Sequence, residues 1–388
     1  MVNRMLTRAQ EFAGEMVAHR RYLHANPELG LDLPKTTAYV MEKLTAMGLK
    51  PQEICQSAVV ATIGQGGKTI LVRGDMDALP VKENGDLPFK STNNNGHLCG
   101  HDLHTAGLLG VAKLLKEREA ELEGTVKLMF QPGEETGSGA KAMIAAGLLE
   151  NPQVDAAIAL HVTPDMDPGK IGLKKGIFSA SLDTFMVEVQ GKGGHSSTPH
   201  LAVDPLMIVN TMYMMLNTLV GREVNPFDTV VLTIGKCGGG TVSNVIPDTA
   251  VLEGTLRCFD KDVRAQTVKR VYEIIEDVSK TLRGSYTVKK IFTDSVVNDD
   301  ALCSAMQPYI TDVVGTDNLI MLEKPMAGTE DFSYVSDRVP ALMLWLGAGG
   351  KDNYSLHNPN VVFDESALPV GAAVLANCAF HWLKDNAG

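Results

Sequence analysis

The sequence predicts an α/β fold in which a domain with a largely parallel sheet is interrupted by a smaller, inserted α+β domain. Three observations lead to this prediction. Near-continuous apolar strands alternate with amphipathic helices in the first half, half-exposed strands replace them in the middle, and the first pattern resumes after about residue 295. We therefore place the two parts of the larger domain at 1–181 and 295–388, and the insertion at 182–294.

In the first half, strand and helix patterns follow one another in the order that a parallel sheet requires. Apolar spacing near 3.6 residues predicts helices, and short apolar runs between turn residues predict strands. The expected helices are 5–22, 35–47, 103–117 and 139–147, and the expected strands are 57–63, 69–73, 125–130 and 155–161.

The middle of the chain alternates apolar and polar residues, which is typical of strands with one face exposed to solvent. The predicted elements are, in order, strand 185–190, helix 203–220, strands 229–234 and 249–258, helix 263–282 and strand 286–292. This β-α-β-β-α-β order fits a small α+β sandwich with an antiparallel sheet. The apolar strand 341–346 and a C-terminal helix then return the chain to the larger domain.

Composition argues against several classes of partner. Lys and Arg number 35 against 46 Asp and Glu, without any basic run, so we expect no nucleic acid and no anionic membrane surface as a partner. No window approaches about eighteen apolar residues in a row, and the first residues lack the apolar core of a secretory signal, which predicts a cytoplasmic protein. The six cysteines lie far apart and do not suggest a disulfide framework. Cys99 differs from the other five because His101 lies two residues after it.

Polar side chains lie at the carboxyl ends of several predicted strands, where ligands gather in sheets of this kind. They are Asp75 and Asp77, Glu134 and Glu135, and His161, joined by Cys99 and His101 in the loop before a helix and by His357 after the last strand. Thiolate, imidazole and carboxylate groups bind zinc and related ions. Taken singly, each group has another explanation, as a packed thiol, a helix-start carboxylate pair or a hydrogen-bonded histidine. Their shared position predicts a metal site, and the pattern alone leaves those alternatives open.

The adjacent glutamates suggest a division of labour. Neighbouring side chains cannot both point at one atom, so one can bind metal while the other faces the substrate. Metal-assisted hydrolysis needs a general base beside the attacking water, and a carboxylate next to a ligand carboxylate is well placed for that.

The chain resembles a known superfamily at these residues and elsewhere. The matching segments are 24–30, 73–80, 99–105, 130–135, 191–196, 243–247, 254–257 and 328–332. They resemble the metallopeptidase superfamily of aminoacylase and carboxypeptidase G, and more closely its subgroup of hippurate hydrolases, N-acyl-L-amino acid amidohydrolases and auxin-conjugate amidohydrolases. The resemblance implies a metallopeptidase catalytic domain, with an insertion that acts as a lid and dimerisation domain.

The resemblance also implies a role for each site residue. Two divalent ions (zinc, manganese, cobalt or nickel) would be bound by Cys99, His101, Glu135, His161 and His357, and Glu134 would be the general base. The wider superfamily has a His where Asp75-Met-Asp77 stands here, and a bridging Asp where the Cys99 segment stands. Asp75 and Asp77 are therefore interpreted as residues that orient the ligands, and Cys99 as the bridge. Asp102 is the alternative ligand.

The implied reaction is hydrolysis of the amide bond of an N-acyl amino acid or short peptide. His195 would reach the active site of a partner subunit and stabilise the oxyanion, while Asn244 and Arg257 would bind the substrate, in a homodimer formed through the insertion. The alternatives within the family are an N-acetyldiaminopimelate deacetylase and a C-terminal exopeptidase. Outside it, they are a hydrolase that uses Cys99 as nucleophile and a non-catalytic binding protein.

Overall fold

The computed structural model describes residues 3–387, and the chain divides into two compact units. The larger comprises the chain up to Phe178, Val296–Pro325 and the residues from Asp331 onward, and the smaller comprises Ser179–Ser295 and Met326–Glu330. The insertion boundaries drawn from sequence, 182–294, lie close to the long segment of the smaller unit but leave out 326–330. Those residues belong there because the backbone N–H of Ala180 donates to the carbonyl of Met326 at 2.9 Å, a pairing that no local pattern reveals.

The helices and strands follow the chain in three stretches. The first contains α1 (Arg4–Glu11), α2 (Ala13–Ala25), α3 (Pro34–Ala46), β1 (Gln52–Cys55), β2 (Ala58–Gly64), β3 (Lys68–Asp75), α4 (His101–Lys116), β4 (Gly124–Gln131), α5 (Gly139–Ala145), β5 (Ala156–Thr163), β6 (Ile171–Leu173) and β7 (Gly176–Ile177). The inserted stretch contains β8 (Leu182–Gln190), β9 (Gly194–His195), α6 (Pro205–Glu223), β10 (Val230–Gly239), β11 (Val245–Ile246), β12 (Thr249–Cys258), α7 (Lys261–Thr281) and β13 (Ser285–Thr293). The last contains β14 (Val297–Asn298), α8 (Asp300–Val314), β15 (Leu319–Met321), α9 (Ser333–Ser336), β16 (Ala341–Gly347) and α10 (Ala367–Asp385).

The larger unit is built on one sheet with the strand order β1-β2-β4-β3-β5-β16-β6-β15. Its centre, β4-β3-β5-β16, is parallel, whereas β2 and β6 pair antiparallel with the outer members of that group. The central strands β3, β4 and β5 are buried at nearly every position, as their near-continuous apolar sequences predict. The α/β fold class predicted from the sequence is confirmed.

Helices α4 and α10 pack against each other and against β3, and so cover one face of this sheet. Val72 in β3, Leu108 in α4 and Leu375 in α10 lie in the resulting core, where full burial of such a side chain contributes about 1.5–3 kcal/mol. This packing holds the first turn of α4 beside the carboxyl ends of the central strands. Across residues 3–387, no helix is long and apolar enough to cross a membrane, and α10 is a buried core helix.

The first helix predicted from the sequence, 5–22, is wrong as a single element. Helix α1 ends at Glu11 and α2 begins at Ala13, with Phe12 between them at φ −113° and ψ 21°. The apolar spacing runs through this break because both helices bury side chains in one core, among them Met5 and Met16. Strands β1, β6 and β15 were not predicted, because segments of three or four residues show too little periodicity.

The smaller unit has a four-stranded antiparallel sheet in the order β10-β12-β8-β13, packed against α6 and α7. The alternation seen in the sequence has its structural counterpart in β8, where Phe185, Val187 and Val189 are buried. A separate two-stranded ribbon pairs β9 with β11 and places His195 opposite Val245.

Candidate metal centre

The strand order brings the predicted site residues to one edge of the larger sheet. Asp75 is the last residue of β3, Glu134 and Glu135 follow β4, and His161 lies near the end of β5. Because β4, β3 and β5 are adjacent and parallel, their carboxyl ends meet. Helix α4 begins with His101 at this same edge, which places a second segment of the chain beside the three strand ends.

A glycine permits the close approach of that second segment. Gly100 precedes α4 with φ 88°, in the left-handed region that residues with a Cβ rarely adopt. A Cβ at this position would lie 2.2 Å from Cγ2 of Val162 in β5. Glycine at this position therefore allows Cys99 and His101 to pack closely against β5, beside His161.

Cys99 lies at the centre of the cluster. Its Sγ is 3.5 Å from Nε2 of His161 and 3.3 Å from Nε2 of His357, although His357 is 258 residues away in sequence. Two groups of potential ligand atoms share this sulfur, each with all its atoms within 4.8 Å of one another. One is Cys99 with His101 and His161, and the other is Cys99 with Glu135 and His357.

Backbone hydrogen bonds set the orientation of the two buried histidines. Nδ1 of His101 donates to the carbonyl oxygen of Asp77 at 2.8 Å, and Nδ1 of His161 donates to that of Val162 at 2.7 Å. With the proton on Nδ1, each ring leaves the lone pair of Nε2 for another partner. This is the arrangement that metal-binding histidines commonly show.

His104 has a different role, which sequence reasoning missed. Its Nδ1 donates to Oδ1 of Asp75 at 2.5 Å, and its Nε2 accepts the backbone N–H of Val162 at 2.8 Å. Both ring nitrogens are thus occupied, so His104 supports Asp75 instead of offering a ligand. Its position three residues after His101, one helical turn along the same face, was the available signal.

The two aspartates after β3 hold their neighbours in place. The carboxylate of Asp77 accepts the backbone N–H of Glu134 at 3.0 Å and that of Glu135 at 3.2 Å, while its carbonyl fixes His101. Asp75 binds His104, and its Oδ2 lies 2.9 Å from Nη1 of Arg73. Although burial would raise the pKa of Asp75, Arg73 and the histidines outweigh it and hold that pKa well below its usual range.

The donor set fits a divalent cation. Nε2 of His101 and Oε1 of Glu135 are buried, have no hydrogen-bond partner among the described residues, and lie 3.8 Å apart. Burial raises the pKa of the Cys99 thiol, and it raises the pKa of Glu135 as well. A bound cation would compensate both anions and supply the partner that the two orphaned atoms lack.

Asp102 points into a different cluster. Its Oδ2 accepts from Nε of Arg20 at 2.7 Å and lies 2.9 Å from Nδ1 of His24. Asp102 belongs to no group of potential metal ligands within residues 3–387. Within the described residues, Cys99 and not Asp102 is common to two groups of potential ligands.

The remaining predicted site residues lie in the smaller unit. His195 is exposed, and its Nδ1 accepts the backbone N–H of Ser197 at 3.1 Å, so its proton lies on Nε2. The backbone N–H of Ser196 donates to the carbonyl of Asn244 at 3.1 Å, which holds Asn244 beside His195 on the β9–β11 ribbon. Arg257 lies on β12, in the other sheet, and its Nη1 donates to the carbonyl of Ala327 and to Oγ1 of Thr329, each at 3.0 Å.

Known proteins of similar sequence and structure match nearly the whole chain. The sequence model of peptidase family M20/M25/M40 matches residues 71–381. An N-acetyl-L-cysteine deacetylase of Bacillus subtilis is 36% identical over 378 residues, 96% of this chain and 89% of its own. An IAA-amino acid hydrolase of Arabidopsis thaliana is 36% identical over 391 residues, 98% of this chain and 88% of its own. Among solved structures, a Bacillus subtilis protein described as a dinuclear metal-binding peptidase of family M20 matches with a TM-score of 0.82 and 31% identity, over 97% of this chain and 99% of that one.

Proposed function

Because the chain belongs to peptidase family M20/M25/M40, we propose that it hydrolyses the amide bond of N-acyl amino acids with two divalent metal ions. The observation that carries this proposal is the cluster around the buried Cys99, which belongs to two groups of potential ligands beside the unpaired atoms of His101 and Glu135. The relatives named as a deacetylase and as an amino-acid-conjugate hydrolase support the reaction class.

In this proposal Cys99 would contribute its thiolate to both ion sites. His101 and His161 would complete one site, and Glu135 and His357 would complete the other. When bound, the ions would polarise the scissile carbonyl and lower the pKa of the attacking water. The mixture of sulfur, nitrogen and oxygen donors suits zinc, cobalt or nickel, and manganese is the further candidate.

Glu134 is the proposed general base and acid. Its side chain is 10% exposed, and its Oε2 lies 3.9 Å from Nε2 of His101, beside the ligands. The hydrogen bonds from the Glu134 and Glu135 backbones to Asp77 fix the turn that carries both side chains. Glu134 takes a proton from the attacking water and passes it to the nitrogen of the departing amino acid.

The smaller unit would supply the groups that recognise the substrate. The Nε2–H of His195 is an exposed donor suited to the developing oxyanion, and Asn244 lies beside it. Arg257 is the proposed partner of the substrate carboxylate, because a guanidinium matches a carboxylate in shape and charge. This assignment favours N-acyl amino acids and short peptides with a free carboxylate.

We further propose that the protein is a homodimer and that His195 serves the partner's site. Helix α6 in the smaller unit carries exposed apolar side chains, with Met207 59%, Tyr213 38% and Met214 65% exposed. An apolar surface of this kind commonly marks a protein interface. A fully active monomer in sedimentation experiments would refute the dimer. The cytoplasmic location expected from the sequence stays a prediction.

Replacement of Glu134 by Gln tests the mechanism most directly. It should lower kcat by about 10²–10⁴-fold, because the amide keeps the shape of the carboxylate but cannot accept the proton. Metal content measured by elemental analysis should stay at two ions per chain. Glu188→Gln, at an exposed position on β8, is the matched control. A fully active Glu134→Gln enzyme would refute the assignment.

A substrate panel distinguishes the remaining alternatives. It should contain N-acetyl, N-benzoyl and indole-acyl amino acids, N-acetyldiaminopimelate and short peptides, each assayed after reconstitution with zinc, manganese, cobalt or nickel. Turnover of peptides alone would identify a C-terminal exopeptidase. Activity that survives thorough chelation but is lost on thiol alkylation would instead support Cys99 as a nucleophile.

A further inference from the structure

A second polar cluster is built around Asp102, the buried residue that follows His101 at the start of α4. Arg20, 1% exposed on α2, donates from Nε to Oδ2 of Asp102 at 2.7 Å and from Nη1 to Oε1 of Glu365 at 3.1 Å. One turn further along α2, His24 contacts Oδ2 of Asp102 through Nδ1 and Oε2 of Glu83 through Nε2, each at 2.9 Å. We call these five residues the Arg20 network.

The Arg20 network holds the loop that leads to Cys99. Glu83 accepts the backbone N–H of Ser91, so His24 is tied through it to the middle of that loop. The ring of Phe89 lies under the guanidinium of Arg20 at 4.6 Å. Between β3 and α4, residues 76–100 form no helix or long strand. The contacts of Glu83 and Phe89 therefore take the place of the regular hydrogen bonds that would otherwise hold this segment.

The network also reaches the loop that carries His357. Glu365 follows that loop in sequence. The loop that carries His357 and the loop that leads to Cys99 are also joined directly by backbone hydrogen bonds. The backbone N–H of His357 donates to the carbonyl of Leu98 at 2.9 Å, and that of Asn84 donates to the carbonyl of Pro359 at 2.8 Å. His357 itself has φ 67°, a conformation that a non-glycine residue keeps only when its surroundings hold it.

From this arrangement we infer that Arg20 is a positioning residue, which sets the separation of Cys99 and His357 by fixing their two loops against α2. The inference rests on the proposed function, because it takes both residues to be metal ligands. Among the described residues, the side chains of Arg20 and Asp102 form no hydrogen bond or ion pair with Cys99 or His357, so their effect passes through the backbone. Metal–ligand distances tolerate shifts of only about 0.2 Å, and removal of residues that support ligands typically weakens metal affinity about 10–100-fold.

The neighbouring arginine provides a matched control. Arg21 also binds Glu365, through Nη2 at 2.7 Å, and also lies against Phe89, at 4.9 Å. Its side chain is 47% exposed, however, and it makes no hydrogen bond to Asp102 within the described part of the chain. Arg20→Met and Arg21→Met therefore remove the same charge, but only the first removes the link to Asp102.

In the experiment, each variant is freed of metal with a chelator and then titrated with Co²⁺. Binding is monitored through the absorbance of the charge-transfer band between the thiolate and cobalt. The inference expects Arg20→Met to need about 10–100-fold more Co²⁺ for half-saturation, with Arg21→Met unchanged. If Arg20→Met titrates like the wild type, the inference is overturned and the proposed function stands. If the wild type itself shows no thiolate band, the proposed ligand role of Cys99 fails instead.

A second variant keeps the inference testable if Arg20→Met does not fold. Glu83→Gln retains an oxygen that can accept from Ser91 but removes the charge that faces His24. It should weaken Co²⁺ binding in the same direction, while circular dichroism and the melting temperature of the chelated protein stay near those of the wild type. Wild-type Co²⁺ affinity in a folded Glu83→Gln protein would overturn the inference.

Discussion

Replacement of Asp77 by Asn should separate support of the general base from metal binding itself. The carboxylate of Asp77 accepts two backbone N–H groups, from Glu134 at 3.0 Å and Glu135 at 3.2 Å. The Asn side chain has one oxygen and one NH₂ group, so one of those N–H groups would face a donor. The turn that carries Glu134 would then lose one of its two anchors.

The size of the effect follows from the hydrogen bonds. A hydrogen bond to a charged group contributes about 1.5–3 kcal/mol, and the buried N–H left without a partner costs a comparable amount. A loss of about 2–3 kcal/mol in transition-state stabilisation corresponds to roughly a 30- to 160-fold lower kcat/KM. The effect should appear mainly in kcat, because Asp77 holds Glu134 in place and does not contact the substrate in the proposed mechanism.

The assay is steady-state kinetics on the best substrate of the panel, at saturating metal, with metal content measured on the same samples. Asp86→Asn, at an exposed position in the following loop, makes the same chemical change away from the cluster. A kcat/KM for Asp77→Asn within about threefold of the wild type, at full metal content, would refute the reasoning.

Three further predictions concern stability and metal dependence. Gly107→Ala should stabilise the larger unit by about 1 kcal/mol, because a Cβ at this position inside α4 would meet nothing within 4 Å. Gly110→Ala, one turn further along α4, should destabilise the unit, because its Cβ would lie 2.4 Å from Sδ of Met16. Calorimetry of both variants checks this, and equal melting temperatures would contradict it. Removal of metal by a chelator should abolish activity, and Co²⁺ should restore it. The Cys99→Ser variant should need more Co²⁺ than the wild type for the same recovery. Unchanged activity of the metal-free wild type would contradict this prediction. Burial alone would lower the pKa of His24, but the hydrogen bonds of His24 to two carboxylates raise that pKa. The stability that protonated His24 contributes is therefore complete below the pKa of the unfolded state and is lost as the pH rises through the pKa of the folded state. The melting temperatures of chelated wild type and His24→Gln should therefore converge toward alkaline pH, and a constant difference would contradict this prediction.

Much of the fold could be predicted because its elements have simple periodicities. The strand at 125–130 and the helix at 103–117 were predicted from apolar spacing, and they are observed as β4 and α4 within a few residues. The break at Phe12 was missed because the apolar spacing does not change across it. The return of 326–330 to the smaller unit was missed because it depends on a pairing between distant segments.

The motifs correctly identified the family, and the residues they singled out in the larger unit lie together around Cys99. What the sequence could not supply was the direction of each side chain. His101, Asp102 and His104 all carry side chains that can bind metal, and only the hydrogen bonds of His104 to Asp75 and of Asp102 to Arg20 show that these two are engaged elsewhere. Such distinctions depend on where distant segments pack, which no local pattern encodes.

The wide separation of Cys99 and His357 along the chain has a consequence for biosynthesis. During translation the first group of ligand atoms is complete once His161 has emerged, but the second waits until nearly the whole chain has been made. Domains generally fold as units in the order in which they leave the ribosome. The larger unit also includes β16 and α10, so its fold, and with it both ligand groups, would be completed only after the segment that carries His357 has emerged.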